Sequence, residues 1–200
     1  MRVASCSLTL LLLAAFVFGQ AKSDECDLQQ LAIDAALGEV QAQYNLGVEF
    51  FRGTCVPRDY AKAANLWRKA SDAGHAGASN NFGFLIYNGR PGVQRDYAEG
   101  IRRWRFAAER GFAESQVHLA EAYLDAKFLP IDLIEAYAWA TAGKHNSSRS
   151  SAGFDKPDLA DAVAQMADDV LGDIGKKLTV DEKAKAEKKA AEYIRKFAPQ

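Results

Sequence analysis

Tyr44-Asn45-Leu46-Gly47, followed by Trp67, returns as Asn81-Phe82-Gly83, followed by Trp104. The two glycines stand 83 − 47 = 36 positions apart and the two tryptophans 104 − 67 = 37. A period of this length, holding two helix-sized segments, is the mark of an α-solenoid, in which each helix pair buries its apolar face only against the next pair.

The segments read locally in the same way. Repeat one opens at Gly38, and its first helix is expected over Val40 to Arg52, with Ala42, Leu46 and Phe50 on one face at helical spacing. A mid-helix glycine such as Gly47 costs about 1 kcal/mol relative to alanine, so its presence predicts a neighbouring helix packed close to its backbone. Residues 53–57 break the helix, and Asp59 is placed to cap a second one over Tyr60 to Ala73. That helix turns Ala63, Leu66, Trp67 and Ala70 inward and stops at Gly74. Repeat two repeats the scheme with Ala78, Phe82, Gly83 and Ile86, a loop one residue longer, then Asp96, Trp104, Ala107 and Gly111. Repeat three is weaker. Ser115, Leu119, Ala120 and Tyr123 hold the first-helix positions, Asp132 caps, and Ala136 and Trp139 face inward. Ala126 stands where a glycine is expected, so this connection is expected to differ.

Residues 42–47, 53–56, Asp59, Ala63 and Trp67, with residues 89–93, Asp96, Trp104, Ala107, Ala108 and Gly111, together resemble the Sel1-like repeat, a relative of the tetratricopeptide repeat. The resemblance covers about residues 36–143. It implies an all-α, right-handed solenoid of antiparallel helix pairs and a role in protein–protein contact, often at the bacterial envelope. By analogy with tetratricopeptide geometry, the first helices line the concave surface. The inner ladder is then Tyr44, Val48, Phe51 and Arg52 in repeat one, Asn80, Phe84, Tyr87 and Asn88 in repeat two, and Val117, Glu121, Leu124 and Asp125 in repeat three. Expected partner contacts are Tyr44, Val48, Arg52, Asn80, Phe84, Tyr87, Asn88, Glu121 and Asp125, led by Tyr44, Phe84 and Asn88. Phe51 and Tyr87 are divided between ligand contact and packing between repeats.

The N-terminus reads as a signal peptide over residues 1–21: Arg2 is the positive region, Leu8 to Phe18 the apolar run, and Gly19 and Ala21 the small residues before cleavage. Export places the remaining cysteines, Cys26 and Cys55, in an oxidising compartment, where a disulfide is favoured over two unpaired thiols. Closing that loop contributes roughly 3–4 kcal/mol in the chain-entropy model. A capping helix is expected from Asp27 to about Ala36, ahead of repeats at about 38–73, 74–110 and 111–143. Residues 144–156 read as a serine-rich surface linker, in which the sequon at Asn146 is a chance match. Residues 157–200 read as a helical hairpin over the open end of the stack. Its first helix starts at Pro157 and carries Leu159, Val163, Met166, Val170, Leu171 and Ile174. Its second follows a capping box at Thr179 and Glu182, with Ala184, Ala191, Ile194 and Phe197 inward and mixed lysine and glutamate outward.

Chemistry is sparse. The formal net charge is −1, so no whole-molecule field argues for nucleic acid, and none is expected as a partner. His75, His118 and His145 share no metal-ligand spacing, and there is no HExxH, Walker or Ser-x-x-Lys motif. No cofactor is expected. Arg95, Arg102, Arg103, Arg105 and Arg110 are expected on the outer face of a second helix, with membrane contact at most peripheral. The resulting expectation is a non-enzymatic, exported scaffold or regulator that binds a protein in the bacterial cell envelope. A cell-wall or β-lactam hydrolase and a peptidoglycan- or lipid-associated structural protein are the alternatives.

Overall fold

The computed structural model describes residues 28–149 and 157–198, so the expected signal peptide, Cys26 and most of the serine-rich stretch lie outside the described residues. The described residues form nine α-helices and no strand. α1 (Gln29–Ala36) precedes three helix pairs, α2 (Val40–Arg52) with α3 (Tyr60–Asp72), α4 (Ala76–Asn88) with α5 (Tyr97–Ala108), and α6 (Ala113–Leu124) with α7 (Leu133–Asn146). α8 (Pro157–Gly175) and α9 (Val180–Lys196) close the C-terminal end. From α1 to α7 each helix packs mainly on its neighbours in sequence, which makes the stack a solenoid, whereas α8 and α9 each pack on α7 and scarcely on each other, so the expected C-terminal hairpin is instead two helices flanking α7.

One aspartate device starts every second helix. Asp59, Asp96 and Asp132 are extended and accept hydrogen bonds from the backbone N–H groups of Lys62, Glu99 and both Ile134 and Glu135. Each satisfies donors that the helix itself leaves open. The first helix of repeat two uses His75 for the same job. Its Nδ1 accepts from Ala78 N at 3.0 Å, so Nε2 carries the proton and donates to Gln41 Oε1 at 3.2 Å.

The mid-helix glycines are sites of close approach. A Cβ on Gly47 would lie 2.5 Å from Trp67 Nε1, and one on Gly83 would lie 2.9 Å from Trp104 Cδ1. The indoles are thereby pressed onto the preceding helix, and Trp67 Nε1 donates to Tyr44 O at 3.0 Å. In repeat three the small residue has moved to the other partner: Gly143 on α7 faces Val117 on α6, with a Cβ–Cγ2 distance of 2.7 Å.

After the first helix of repeat one the chain turns through Gly53 at φ +72°. In repeat three Ala126 takes the same left-handed turn at φ +54°, alone among the described non-glycine residues. Ala126 thus supplies a left-handed residue where glycine was expected, one residue beyond the αR cap Asp125, at the steric cost that a Cβ meets there. Ala126→Gly is expected to raise stability by about 0.5–1 kcal/mol, the relief being partly offset by the freer unfolded chain. Urea unfolding measures it, and an unchanged or lowered midpoint contradicts it.

Two expectations are corrected at the C-terminal end. The expected linker from residue 144 begins inside α7, which runs to Asn146 and continues as a 3-10 turn over Ser147–Arg149. Asn146 is fully buried, and its Nδ2 donates to Gln116 Oε1 at 3.0 Å and to Phe197 O at 3.3 Å, so the sequon is closed to modification in the folded chain. The buried face of α9 is Ala186 and Ala190 with Tyr193 and Phe197, whereas Ala184 and Ala191 are exposed. The difference arises because α9 packs on α7 through aromatic rings. Tyr193 and Phe197 lie 4.4 and 5.4 Å from the Trp139 ring, and Glu135 accepts from Tyr193 Oη at 2.8 Å and from Lys189 Nζ. On α1, Ala32 is likewise exposed rather than inward, and Ala35 is the buried contact.

Candidate partner-binding cleft

The inner ladder divides by burial. Tyr44 is 1% exposed. Its ring stacks on His75 at 4.5 Å, and burial, then the nearby Glu114 carboxylate, push its phenol up to about 12. Val48 is buried in the same core cluster. Asn80 is 3% exposed and ties repeat two to repeat three: Nδ2 donates to Glu114 Oε2 at 2.7 Å, and Oδ1 accepts from Ser115 Oγ at 2.8 Å. Burial also raises the Glu114 carboxyl above its ordinary range. Tyr44, Val48 and Asn80, expected as partner contacts, are thus turned into the joints between repeats. The helix rotation that opens one stripe to solvent sinks the neighbouring one.

Of the remaining positions Tyr87 is also buried, at 6% exposed, and turns only its edge to solvent, while Arg52, Phe84, Asn88, Glu121 and Asp125 stay accessible and, Arg52 apart, meet. Phe84, Tyr87 and Asn88 on α4 follow i, i+3, i+4 spacing, and His118, Glu121, Ala122 and Asp125 at the end of α6 follow i, i+3, i+4, i+7. These two stripes face a third, contributed by the cap helix: Met166, Asp169, Val170 and Asp173 on α8, with Lys177 just beyond it. Between them lies a cleft of about 640 Å³, within the range of ligand-sized pockets. Arg52 does not reach it. It lines an adjoining hollow of about 70 Å³ with Val48, Phe51, Trp67 and Asn81, and Phe84 is shared by both.

The floor is aromatic and held rigid. Tyr87 packs at 4.6 Å from Trp104, and His118 stacks on the same indole at 4.8 Å. The Tyr87 hydroxyl donates to Asp125 Oδ2 at 2.6 Å. Burial and that bond raise the phenol, while the bonds from Tyr87 and Lys127 outweigh the burial of Asp125 and hold its carboxyl below the usual range. Asn88 Nδ2 donates to Phe84 O at 2.9 Å, and Glu121 Oε2 meets His118 Nδ1 at 3.2 Å. Lys127 Nζ lies 3.0 Å from Asp125 Oδ2 and 5.9 Å from the Tyr87 ring centre.

The residues of α8 were missed in the sequence because Met166 and Val170 read equally well as core. The available signal was charge: residues 157–175 contain no lysine or arginine. The arginine cluster, by contrast, is engaged internally. Arg102 pairs with Glu99, and Arg103 with Glu99, Asp72 and Ser71. Arg105 donates to Tyr123 Oη, Arg95 to Asn88 O, and Arg110 lies over Phe106. Among the described residues no group of three or more histidine, cysteine or acidic side chains could hold a metal ion, and no helix is long and apolar enough to cross a membrane.

Stacked antiparallel helix pairs, glycine–tryptophan joints and a concave cleft define a helix-pair solenoid protein. The chain belongs to the Sel1 repeat family, whose repeat matches residues 40–75, 77–112 and 113–143. It is similar in fold to a Sel1 repeat protein from Oxalobacter formigenes, at 23% identity and a TM-score of 0.57 over 80% of this chain and 71% of that one. It is similar also to c5321, a protective antigen of uropathogenic Escherichia coli strains displaying an SLR fold, at 22% identity and a TM-score of 0.55. That match spans 95% of this chain and 45% of the antigen. No curated protein matches the chain.

Proposed function

We propose that this chain is a non-catalytic scaffold or regulator of the bacterial envelope, exported and then processed near Ala21, that docks a protein partner in its concave cleft. Membership of the Sel1 repeat family supports protein–protein interaction as the general role. The observation that carries the particular reading is the convergence of stripes from α4, α6 and α8 on one cleft whose aromatic floor is locked by packing and hydrogen bonds. A rigid anchor surface with a polar rim is the usual anatomy of a binding hot spot. The N-terminal Arg2 and the apolar run after it support export. A Cys26–Cys55 disulfide fits that compartment and would hold the start of the stack.

The test is site-specific photocrosslinking in cells. A photoreactive residue at Glu121, in the cleft, is expected to give one dominant protein adduct and an exported product lacking the signal peptide. The same residue at the exposed Lys69 on α3 is expected to give none. Equal adducts from both positions, or none from Glu121, would defeat the docking site, and retention of the full leader inside the cell would defeat the location.

A further inference from the structure

The charges around the cleft are not balanced. Glu121, Asp125, Asp169 and Asp173 line it against Lys127 and Lys177, so the carboxylates outnumber the ammonium groups by 4 − 2 = 2. Asp125 already holds Lys127. Glu121 is engaged by His118 and Asp169 by Gln165, while the Asp173 side chain has no bond partner among the described residues. Between Asp169 and Asp173 on the same helix face stands Val170, and Met166 precedes them, so acid and apolar groups alternate along one wall.

The opposite end of the concave face has the other sign. The last ladder position reads Arg52, Asn88 and Asp125 through repeats one to three, a passage from cation to neutral amide to anion. Arg90 adds a second cation at the repeat-one side, with its guanidinium 5.6 Å from the Phe84 ring centre. A lysine brought to that end meets like charge; brought to the α8 end it meets the surplus carboxylates. The chain's own Lys127 displays the favoured arrangement, with its ammonium on a carboxylate and near the face of Tyr87.

Building on the docking reading above, we propose that the occupant of the cleft is a lysine-bearing segment of a partner protein, apolar at the positions that meet Phe84, Met166 and Val170. Its cations sit at the Asp169–Asp173 end and away from Arg52 and Arg90. Complementary charge selects the partner and sets its direction, and the apolar contacts supply the anchor.

Fluorescence anisotropy on the purified protein tests this with a labelled peptide of Lys-Leu-Ser repeats, its Glu-Leu-Ser counterpart, and spermidine as competitor. The lysine peptide is expected to bind at least about tenfold more tightly than the glutamate peptide, and to weaken as salt rises. Asp169→Asn with Asp173→Asn is expected to cost about tenfold, as two partly exposed ion pairs give. Asp161→Asn, exposed on the same helix but outside the cleft, is expected to cost nothing. Equal binding of the two peptides, no binding of the lysine peptide, or indifference to the double substitution overturns the proposal. Spermidine competing at the peptide's own affinity overturns it in favour of a polyamine site. Phe84→Ala separates the two levels. If it abolishes binding of the glutamate peptide, docking in the cleft stands and the cationic partner falls; if it changes nothing for either peptide, both fall.

Discussion

Trp139→Ala is expected to remove about 3–5 kcal/mol of stability and to release the C-terminal helix α9 first. Trp139 is 2% exposed and is the point where the third repeat meets its cap. Tyr193 and Phe197 pack on its ring, and the Phe197 carbonyl is also the acceptor for Asn146. Removing the indole leaves a cavity lined by both aromatics and loosens the end of α9 that closes the stack. A terminal unit of a solenoid has neighbours on one side only, so loss of that interface exposes the core of the repeat beneath it. Hydrogen exchange is expected to show lost protection in α9 and α7 before α2 and α3. Trp139→Phe retains a ring and removes an indole N–H that lacks an acceptor among the described residues, so its cost is expected to be clearly smaller. Equal losses for the two substitutions, or uniform deprotection along the chain, would contradict this account.

Gly47→Ala is expected to destabilise by about 2 kcal/mol, although alanine is the better helix former by about 1 kcal/mol. The added methyl would lie 2.5 Å from Trp67 Nε1 and 2.6 Å from Cδ1, and that ring is buried and hydrogen-bonded to Tyr44 O. Overpacking of a buried contact costs about 1–3 kcal/mol, occasionally more, and movement of the ring away from the methyl strains its bond to Tyr44 O. Gly172→Ala is the control. Gly172 also lies within a helix, α8, but no atom stands within 4 Å of its added Cβ, so the same substitution is expected to stabilise by up to about 1 kcal/mol. Thermal or urea unfolding of the pair should therefore give opposite signs. A matching sign would mean that helix propensity, not the approach of Trp67, sets the cost.

Much of the fold is legible because its devices are local. Asp59, Asp96 and Asp132 each cap a helix three residues or fewer downstream, so the start of each second helix is written within one turn. The capping box at Thr179 and Glu182 is of the same kind. The glycine–tryptophan spacing is longer in reach, but it recurs, and recurrence turns a tertiary contact into a sequence signal. Where recurrence fails, the reading weakens: repeat three keeps its left-handed turn on Ala126 and moves its small residue to Gly143.

The cleft was legible only in part. Phe84, Asn88, Glu121 and Asp125 follow from the phase of the first helices, but Tyr44, Val48, Asn80 and Tyr87 share that phase and are buried, Tyr87 as part of the floor. Which side of a ladder faces water depends on how far each pair is rotated onto the next. That rotation is set by Asn80 reaching Glu114 and Ser115 and by Tyr44 stacking on His75, contacts between groups about 30 residues apart.

The sequence by itself determined the helices, their caps, the repeat and hence the family, because each depends on interactions within a turn or on a pattern that repeats. Only the tertiary structure decided that the cap helix α8 leans over the concave face and lends it Met166, Asp169, Val170 and Asp173. No period links α8 to the repeats. Its amphipathic face has apolar residues enough for several dockings, and the choice among them is made by the surface that α6 and α7 present once they are folded.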